Sequence, residues 1–179
     1  MLAAAPGHGA GSAPAGGDVS GGRREFLREV EGMMPNLRRY ARSLTRDADD
    51  ADDVVQDALV AALDKAHQFE PGTNLRAWLF TITRNTFISH QRRRRVRAHL
   101  PLDDESLDLQ APPAQEARVA QSHLAAAYER LPRPYREVLA LVVFESMSYE
   151  QAAEILEIAV GTVRSRLSRA RAGLRAAIG

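Results

Sequence analysis

The stretch Ser148–Arg171, which reads SYEQAAEILEIAVGTVRSRLSRAR, carries the clearest fold signal of the chain. It opens on a capping box, Ser148–Gln151, in which a hydroxyl and a side-chain amide pair with the first free backbone N–H groups of a helix. Apolar residues follow with helical spacing on both sides of a break at Glu157–Ala159. They are Ala152, Ala153, Leu156, Val163, Leu167, Ala170 and Leu174. A short capped helix, a brief turn and a second helix form the helix-turn-helix arrangement.

The turn departs from the usual pattern at one residue. Glu157 stands where such turns often have a left-handed glycine, and that backbone conformation costs a residue with a Cβ roughly 1 kcal/mol. We expect the next residue, Ile158, to be buried. The second helix is predicted to run from about Val160 to Ala177.

The second helix of this pair carries polar residues opposite its apolar stripe. With the apolar residues turned inward, Arg164, Ser165, Ser168 and Arg169 share the other face. Guanidinium groups and short hydroxyls can bind base edges or phosphates in a DNA groove. The flanking Arg166, Arg171 and Arg175 are better placed for phosphates. The spacing alone also fits an amphipathic helix whose basic face is simply solvated.

The segments just before this pair predict further helices and a linker. A helix over Val119–Leu131, with Leu124, Ala127, Tyr128 and Leu131 on one side, is stopped by Pro132. Pro134 can open the next helix, whose predicted core is Val138, Leu139, Val142 and Val143. Residues 98–118 combine prolines with acidic residues and lack a sustained period. We interpret them as a linker that spans at most roughly 70 Å.

The N-terminal half also has helical periodicity, punctuated by glycine and proline. A short helix near Phe26 is expected to end before Pro35, the first residue of a second helix with Leu37, Tyr40, Ala41 and Leu44 inward. A cluster of aspartates precedes a helix over about 50–67, as a helix N-terminus favours. A turn at 70–74 leads to a long helix over about 75–95, which is predicted to bury Leu75, Trp78, Leu79 and Ile82.

These patterns together predict an all-α protein with two small helical domains. The predicted parts are a disordered tail at 1–22, a first domain at 23–97, the linker at 98–118 and a helix-turn-helix domain at 119–179. The tail holds 7 of the 12 glycines and almost no large apolar side chain, so it cannot offset its ordering entropy.

Composition narrows the class of protein. The 24 basic and 23 acidic residues nearly cancel, but they are sorted along the chain. Residues 67–99 hold 7 basic residues and 1 acidic residue, and residues 158–179 hold 5 and none. Two basic blocks separated by acidic ones fit two surfaces that contact a polyanion, although solvated charge is the plainer alternative. The absence of cysteine and of an apolar run of about 18 residues suggests a soluble, cytoplasmic protein.

The motifs exclude most enzymes. The five histidines have no metal-binding spacing, and neither a nucleophile elbow nor a phosphate-binding loop occurs. We therefore expect no catalytic residue, no metal and no cofactor.

Three segments resemble extracytoplasmic-function sigma factors, the promoter-specificity subunits of bacterial RNA polymerase. Residues 148–171 resemble region 4 of that family, and residues 49–59, DDADDVVQDAL, resemble its regions 2.1 to 2.2. Residues 69–87, FEPGTNLRAWLFTITRNTF, resemble regions 2.3 to 2.4, and their sequence is most similar to the general-stress branch. The resemblance extends over residues 26–177 in the family's order.

The resemblance implies three binding surfaces, each on residues of this chain. A face of the 50–67 helix would dock on the largest polymerase subunit, where spacing alone suggests a solvated face: Asp53, Gln56, Asp57, Val60 and Asp64. The −10 promoter element would be held and melted by Thr73, Asn74, Arg84, Asn85, Ser89, Arg92 and Arg93. The −35 element would be read by Thr162, Arg164, Ser165, Ser168, Arg169 and Arg171. Trp78 has the phase of a core residue rather than of a platform for stacking bases.

The same resemblance implies partners: core RNA polymerase, promoter DNA and an anti-sigma factor, with no insertion into a membrane. The acidic linker would thread polymerase channels, whereas its sequence alone fits a solvated linker equally well. The main rival is a stand-alone helix-turn-helix regulator, which would bind operators as a dimer without polymerase. A pure protein-interaction module is the third interpretation, and it predicts no DNA role for the Arg164–Arg169 face.

Overall fold

The computed structural model describes residues 19–98 and 123–178, and within these ranges every regular element is helical. The α-helices are α1 (Val19–Thr45), α2 (Ala48–Asp64), α3 (Leu75–Arg97), α4 (His123–Arg130), α5 (Arg133–Leu139), α6 (Tyr149–Leu156) and α7 (Val160–Ile178). A 3-10 turn, Ala66–Gln68, follows α2, and a π-helical turn, Ala140–Phe144, follows α5. The all-α prediction is confirmed. Most of the predicted tail and the whole of linker residues 99–118 lie outside the described residues.

Helix α1 corrects the prediction of two helices separated before Pro35. It runs without interruption from Val19 to Thr45, so Pro35 lies in its interior and residues 19–22 are helical. Pro35 removes one backbone hydrogen bond, which normally costs about 3 kcal/mol. The helix nevertheless continues because the following turns bury an apolar face made of Leu37, Tyr40, Ala41 and Leu44. The described residues fall into two compact units that divide between Gly32 and Met33, and the packing described below lies within the second.

Helices α2 and α3 pack against each other, and each begins at a side-chain cap. Asp47 accepts a hydrogen bond from the backbone N–H of Asp50 (2.9 Å), and Asn74 accepts one from Ala77 (3.0 Å). The inward residues of α2 are Ala51, Val54, Val55, Ala58 and Ala62. Those of α3 are Leu75, Leu79, Phe80, Ile82, Thr83, Phe87 and Arg95.

Trp78 is only half-buried, so its predicted place in the core is wrong. Its ring lies 5.4 Å from that of Phe69, in the segment before α3. Phe80 takes the core position instead: it is fully buried, and its ring lies 5.0 Å from that of Tyr40. The buried face of α3 thus includes a residue that the predicted spacing left out, and α3 also packs against α6.

The predicted core after Pro134 needs a correction. Val138 and Leu139 are buried as predicted, but Val142 is half-buried and Val143 is 45% exposed. The cause is the π-helical turn, in which the N–H of Glu145 donates to the carbonyl of Ala140 (2.9 Å). One extra residue in the turn rotates the following side chains, and Glu145 becomes buried. Leu124 of α4, also predicted inward, is 50% exposed.

The helix-turn-helix itself forms as predicted. Gln151 N–H donates to Ser148 Oγ (3.1 Å), and Ser148 N–H donates to Gln151 Oε1 (2.9 Å), which completes the capping box. Glu157 adopts the left-handed conformation with φ 55°. Ile158 is half-buried rather than fully buried, and its N–H donates to the carbonyl of Ala153 (3.0 Å).

Candidate nucleic-acid and protein-binding surfaces

One side of α7 presents the predicted DNA-reading residues to solvent. Arg164, Ser165, Ser168 and Arg169, which we call the recognition face, are all exposed. Val163, Leu167 and Ala170 on the opposite side are buried, so the helix is fixed in rotation about its axis. A basic helix fixed in this way presents its polar side chains in one direction, as major-groove reading requires.

The side chains on and beside the recognition face differ in their contacts and in their exposure. The guanidinium carbon of Arg164 lies 5.9 Å from the ring centre of Tyr149, a cation–π contact that orients it. Ser165 Oγ donates to the carbonyl of Thr162 (3.0 Å), and Thr162 itself is half-buried. Arg171 and Arg175 are exposed. Arg166, predicted to meet phosphates, is half-buried.

One side of α2 is acidic with an apolar patch. Asp53, Gln56, Asp57, Val60 and Asp64, which we call the acidic face, are all exposed. Val60 is 59% exposed, and the neighbouring Leu63, which the sequence analysis did not select, is 44% exposed. Exposed apolar side chains that lie side by side among charges can contribute to a protein-binding surface.

Helix α3 neutralises part of the charge on α2. His90 Nε2 lies 2.7 Å from Asp57 Oδ2, and Arg94 donates two hydrogen bonds to Asp50 (2.6 and 2.9 Å). Asp53 and Asp64 form no ion pair within residues 19–98 and 123–178. The acidic face therefore keeps two carboxylates for an external partner and uses a third in the fold.

The loop before α3 uses its polar side chains for its own structure. Thr73 Oγ1 donates to the carbonyl of Glu70 (2.7 Å), and Asn74 caps α3. Gly72 has φ +87°, a conformation that suits glycine. Thr73 and Asn74 nevertheless remain exposed, so a bound strand could compete for their side chains.

The predicted −10 residues of α3 fall into two groups. Asn85, Ser89, Arg92 and Arg93 are exposed. Asn85, Ser89 and Arg93 line a groove between α2 and α3, which we call the α2–α3 groove, with Asp57, Val60 and Asp64 on its other wall. Arg84 is set apart: its side chain is 17% exposed, and its Nε lies 3.9 Å from Glu137 Oε2.

No cluster of three or more metal-ligating side chains is found in the two described ranges. Within them, too, no helix has the length and apolar character needed to cross a lipid bilayer.

Comparison with known proteins identifies the family. Sigma-70 region 2 matches residues 30–97, and Sigma-70 region 4 matches residues 123–174. The ECF RNA polymerase sigma factor EcfG of Rhodopseudomonas palustris is 43% identical over 148 residues, which cover 83% of this chain and 82% of the relative. The chain belongs to the extracytoplasmic-function RNA polymerase sigma factors.

Further relatives of this sigma factor are similar over most of their length. CnrH of Cupriavidus metallidurans is 36% identical over 169 residues, 88% of each chain. Among solved structures, RpoE of Bartonella quintana in complex with the anti-sigma factor NepR is 36% identical, with a TM-score of 0.70 over 87% of this chain and 97% of that chain. CnrH in complex with the cytosolic domain of CnrY has a TM-score of 0.61 at 33% identity, over 88% of this chain and 89% of that chain.

In this sigma factor the sequence analysis missed a cluster around Glu145. Glu145 belongs to region 4, and its carboxylate accepts hydrogen bonds from Asn36, Arg39 and Arg76 of region 2. Burial raises the pKa of the Glu145 carboxyl, but these hydrogen bonds outweigh it, so the pKa lies below its usual value. No sequence signal marks Glu145, because it becomes buried only through the π-helical turn.

A second buried carboxylate of region 4, Glu137, faces region 2 as well. It lies between Arg133 (3.1 Å) of its own helix and Arg84 (3.9 Å) of α3. Burial raises the pKa of the Glu137 carboxyl, against the opposing effect of Arg133 and Arg84. Burial, with Glu137 nearby, also raises the pKa of the Tyr40 hydroxyl well above its usual value.

Proposed function

We propose that this sigma factor binds core RNA polymerase and directs it to promoters by reading the −35 element with region 4 and opening the −10 element with region 2. The observation that carries this proposal is the presence of both regions in one chain, each with its predicted contact residues largely exposed. Catalysis belongs to the polymerase in this proposal, and the sigma factor needs neither a metal nor a cofactor.

The acidic face of α2 is the proposed docking surface for polymerase. Asp53 and Asp64 supply negative charge, and Val60 with Leu63 supplies apolar area beside it. Complementary charge sets the register and on-rate of an interface, while the apolar contacts add affinity through burial. A basic, partly apolar helix pair on polymerase is the kind of partner that this surface fits.

Region 2 is the proposed site of promoter melting. Melting requires a surface that binds unpaired bases better than it binds duplex, because no covalent step is involved. Thr73 and Asn74 in the loop and Asn85 and Ser89 on α3 offer exposed hydrogen-bonding groups for single-stranded bases. Arg92 and Arg93 are exposed nearby on the same helix and would bind phosphates regardless of sequence.

The recognition face of α7 is the proposed reader of the −35 element. Arg164 and Arg169 can donate paired hydrogen bonds to guanine, and Ser165 and Ser168 can contact other base edges. Arg171 would bind the flanking phosphates, together with Arg175. Thr162, at the start of α7, would contact the backbone there.

We also propose an anti-sigma factor as a partner, because RpoE of Bartonella quintana was solved in complex with the anti-sigma factor NepR. The resemblance of residues 69–87 to the general-stress branch supports stress-response genes as targets. Contact with polymerase and DNA would place the protein in the cytoplasm.

Run-off transcription tests the function directly. Purified chain and core polymerase are incubated with a library of promoters, and transcripts are sequenced. We expect initiation from templates that share two elements separated by a fixed spacer. Binding of the purified chain to paired symmetric operators, with no transcript when core polymerase is present, would instead indicate a stand-alone regulator.

A further inference from the structure

Glu145 is a buried charge at the junction of the two regions, and both of its carboxylate oxygens accept hydrogen bonds. Its side chain is 1% exposed. One carboxylate oxygen accepts from Asn36 Nδ2 (2.7 Å) and Arg76 Nη2 (2.6 Å), and the other accepts from Arg39 Nε (2.8 Å). All these donors come from region 2, so the carboxylate of region 4 occupies a site that region 2 builds.

Further polar contacts lie at this junction, beside the packing of α3 against α6. Arg136, 2% exposed, donates from Nε to the carbonyl of Ser43 (2.9 Å). Arg46 of region 2 donates to the carbonyl of Leu131 (2.8 Å). Charges and backbone carbonyls thus hold part of this junction, in contrast to a domain core, in which apolar burial supplies most of the stability.

Such a junction is expected to open reversibly. Taking carboxylates out of water costs free energy that the ion pairs largely cancel rather than exceed. Tyr40 Oη adds to the cost, because it is buried without a hydrogen-bond partner among the described residues. Loss of the Glu145 contacts would leave buried charges without partners, so the packed arrangement depends on these contacts.

We propose that Glu145 forms an intramolecular latch. Its carboxylate, bound by Asn36, Arg39 and Arg76, keeps region 4 packed on region 2. In this closed form Arg84 is not accessible to DNA. Arg84, one of the predicted −10 residues, is covered in this form beside Glu137. This consequence for DNA rests on the proposed function, whereas the latch itself does not. Release of Glu145 lets the regions separate and exposes Arg84.

Distance measurement between two spin labels tests the latch. The chain has no cysteine, so Ala48→Cys in region 2 and Ala172→Cys in region 4 provide two exposed labelling sites. The full chain carries these labels alone, with Glu145→Gln, or with the control Glu154→Gln. Glu154 is exposed on α6, so the control removes the same charge away from the junction.

We expect one narrow distance distribution for the labelled chain and for the Glu154→Gln control. Glu145→Gln should broaden it toward longer distances and raise the ratio of open to closed molecules about tenfold, which corresponds to about 1.4 kcal/mol. Circular dichroism of each variant shows whether its helices are intact. Arg39→Ala with Arg76→Ala removes the latch from the region 2 side and should broaden the distribution in the same way.

An unchanged distribution in both Glu145→Gln and the double arginine variant would overturn the latch. Binding of a single-stranded −10 probe then separates the latch from the proposed function. A broadened distribution with faster probe binding supports both the latch and its effect on Arg84. A broadened distribution in a chain that supports no transcription leaves the latch in place and contradicts the function.

Discussion

His90 Nε2 of α3 lies 2.7 Å from Asp57 Oδ2 of α2, so one carboxylate of the acidic face is held by the helix that carries the predicted −10 residues. The Asp57 side chain is 55% exposed and that of His90 is 24% exposed, and partly exposed pairs of this kind contribute about 1 kcal/mol or less to stability. The pair therefore orients Asp57 more than it stabilises the domain. Asp53, which has no such partner in the described ranges, is the better residue with which to test docking.

Replacement of Asp53 by arginine should weaken assembly with core polymerase and leave the fold intact. The substitution reverses a charge on an exposed position of α2, so it changes the interface rather than the core. Pull-down of core polymerase by the purified variant measures the effect. Glu31→Arg, an equal charge change at an exposed position of α1, is the control and should bind normally. Normal pull-down by both Asp53→Arg and the pair Gln56→Ala with Asp57→Arg would refute the docking surface.

Arg169→Ala should lower promoter affinity by about 1–3 kcal/mol if the guanidinium contacts a base edge. The loss should be largest for templates with the preferred base at one −35 position. Arg175→Ala, which removes a proposed phosphate contact, should weaken binding equally for all sequences and reduce the salt dependence. Footprints of the holoenzyme at several salt concentrations measure both effects. An Arg169→Ala footprint identical to that of the parent would remove Arg169 from the reading surface.

The contribution of Glu145 to stability should depend on pH. Its folded pKa is lowered, so the contribution is complete above the unfolded value of about 4.3 and disappears as the pH falls through the folded pKa. Glu145→Gln should therefore lower the free energy of unfolding at pH 7 by about 1.5–3 kcal/mol. At pH values well below 4 the two proteins should converge.

Urea unfolding at a series of pH values checks this prediction. Glu137 has a raised pKa, so its ionisation favours unfolding as the pH rises above the unfolded value. That opposite dependence is present in both proteins and cancels from their difference. A difference between parent and Glu145→Gln that stays constant down to acid pH would mean that the carboxylate charge is not what the site binds.

Glycine in place of Glu157 should stabilise region 4. Glu157 has φ 55°, a backbone conformation that costs a residue with a Cβ about 1–2 kcal/mol. Glycine removes this cost, but it also raises the conformational entropy of the unfolded chain, which offsets part of the gain. We expect a net increase of up to about 1 kcal/mol in the free energy of unfolding. Chemical denaturation of the full chain measures it, with Glu154→Gly as a control that should destabilise α6. A lower stability for Glu157→Gly would show that its side chain makes a compensating contact.

The sequence alone was sufficient where local chemistry determines structure. The capping box at Ser148, the left-handed turn at Glu157 and the inward positions of Val163, Leu167 and Ala170 follow from short-range rules, and each is observed. Leu174, predicted on the same stripe, is half-buried. The same rules leave Arg164, Ser165, Ser168 and Arg169 exposed, as predicted. The assignment of each of these residues to a DNA contact remains a prediction.

The predictions from sequence were wrong where long-range packing overrides local conformational preference. Pro35 signals a helix start, yet burial of the residues that follow it keeps α1 continuous. Hydrophobic spacing predicts Val143 in the core, but the π-helical turn shifts the register and buries Glu145 instead. The pairing of Glu145 with Arg39 joins residues about a hundred positions apart, which no periodicity can reveal.

The α2–α3 groove has one wall from the acidic face and the other from α3. If polymerase and the unpaired strand contact opposite walls of this groove, as proposed, a shift of the Asp57–His90 pair by one partner would change the binding of the other. Thermodynamic reciprocity then requires that polymerase alter the affinity for the unpaired strand by the same factor as the strand alters the affinity for polymerase. The affinity of such a sigma factor for melted DNA would rise cooperatively when it assembles with the polymerase.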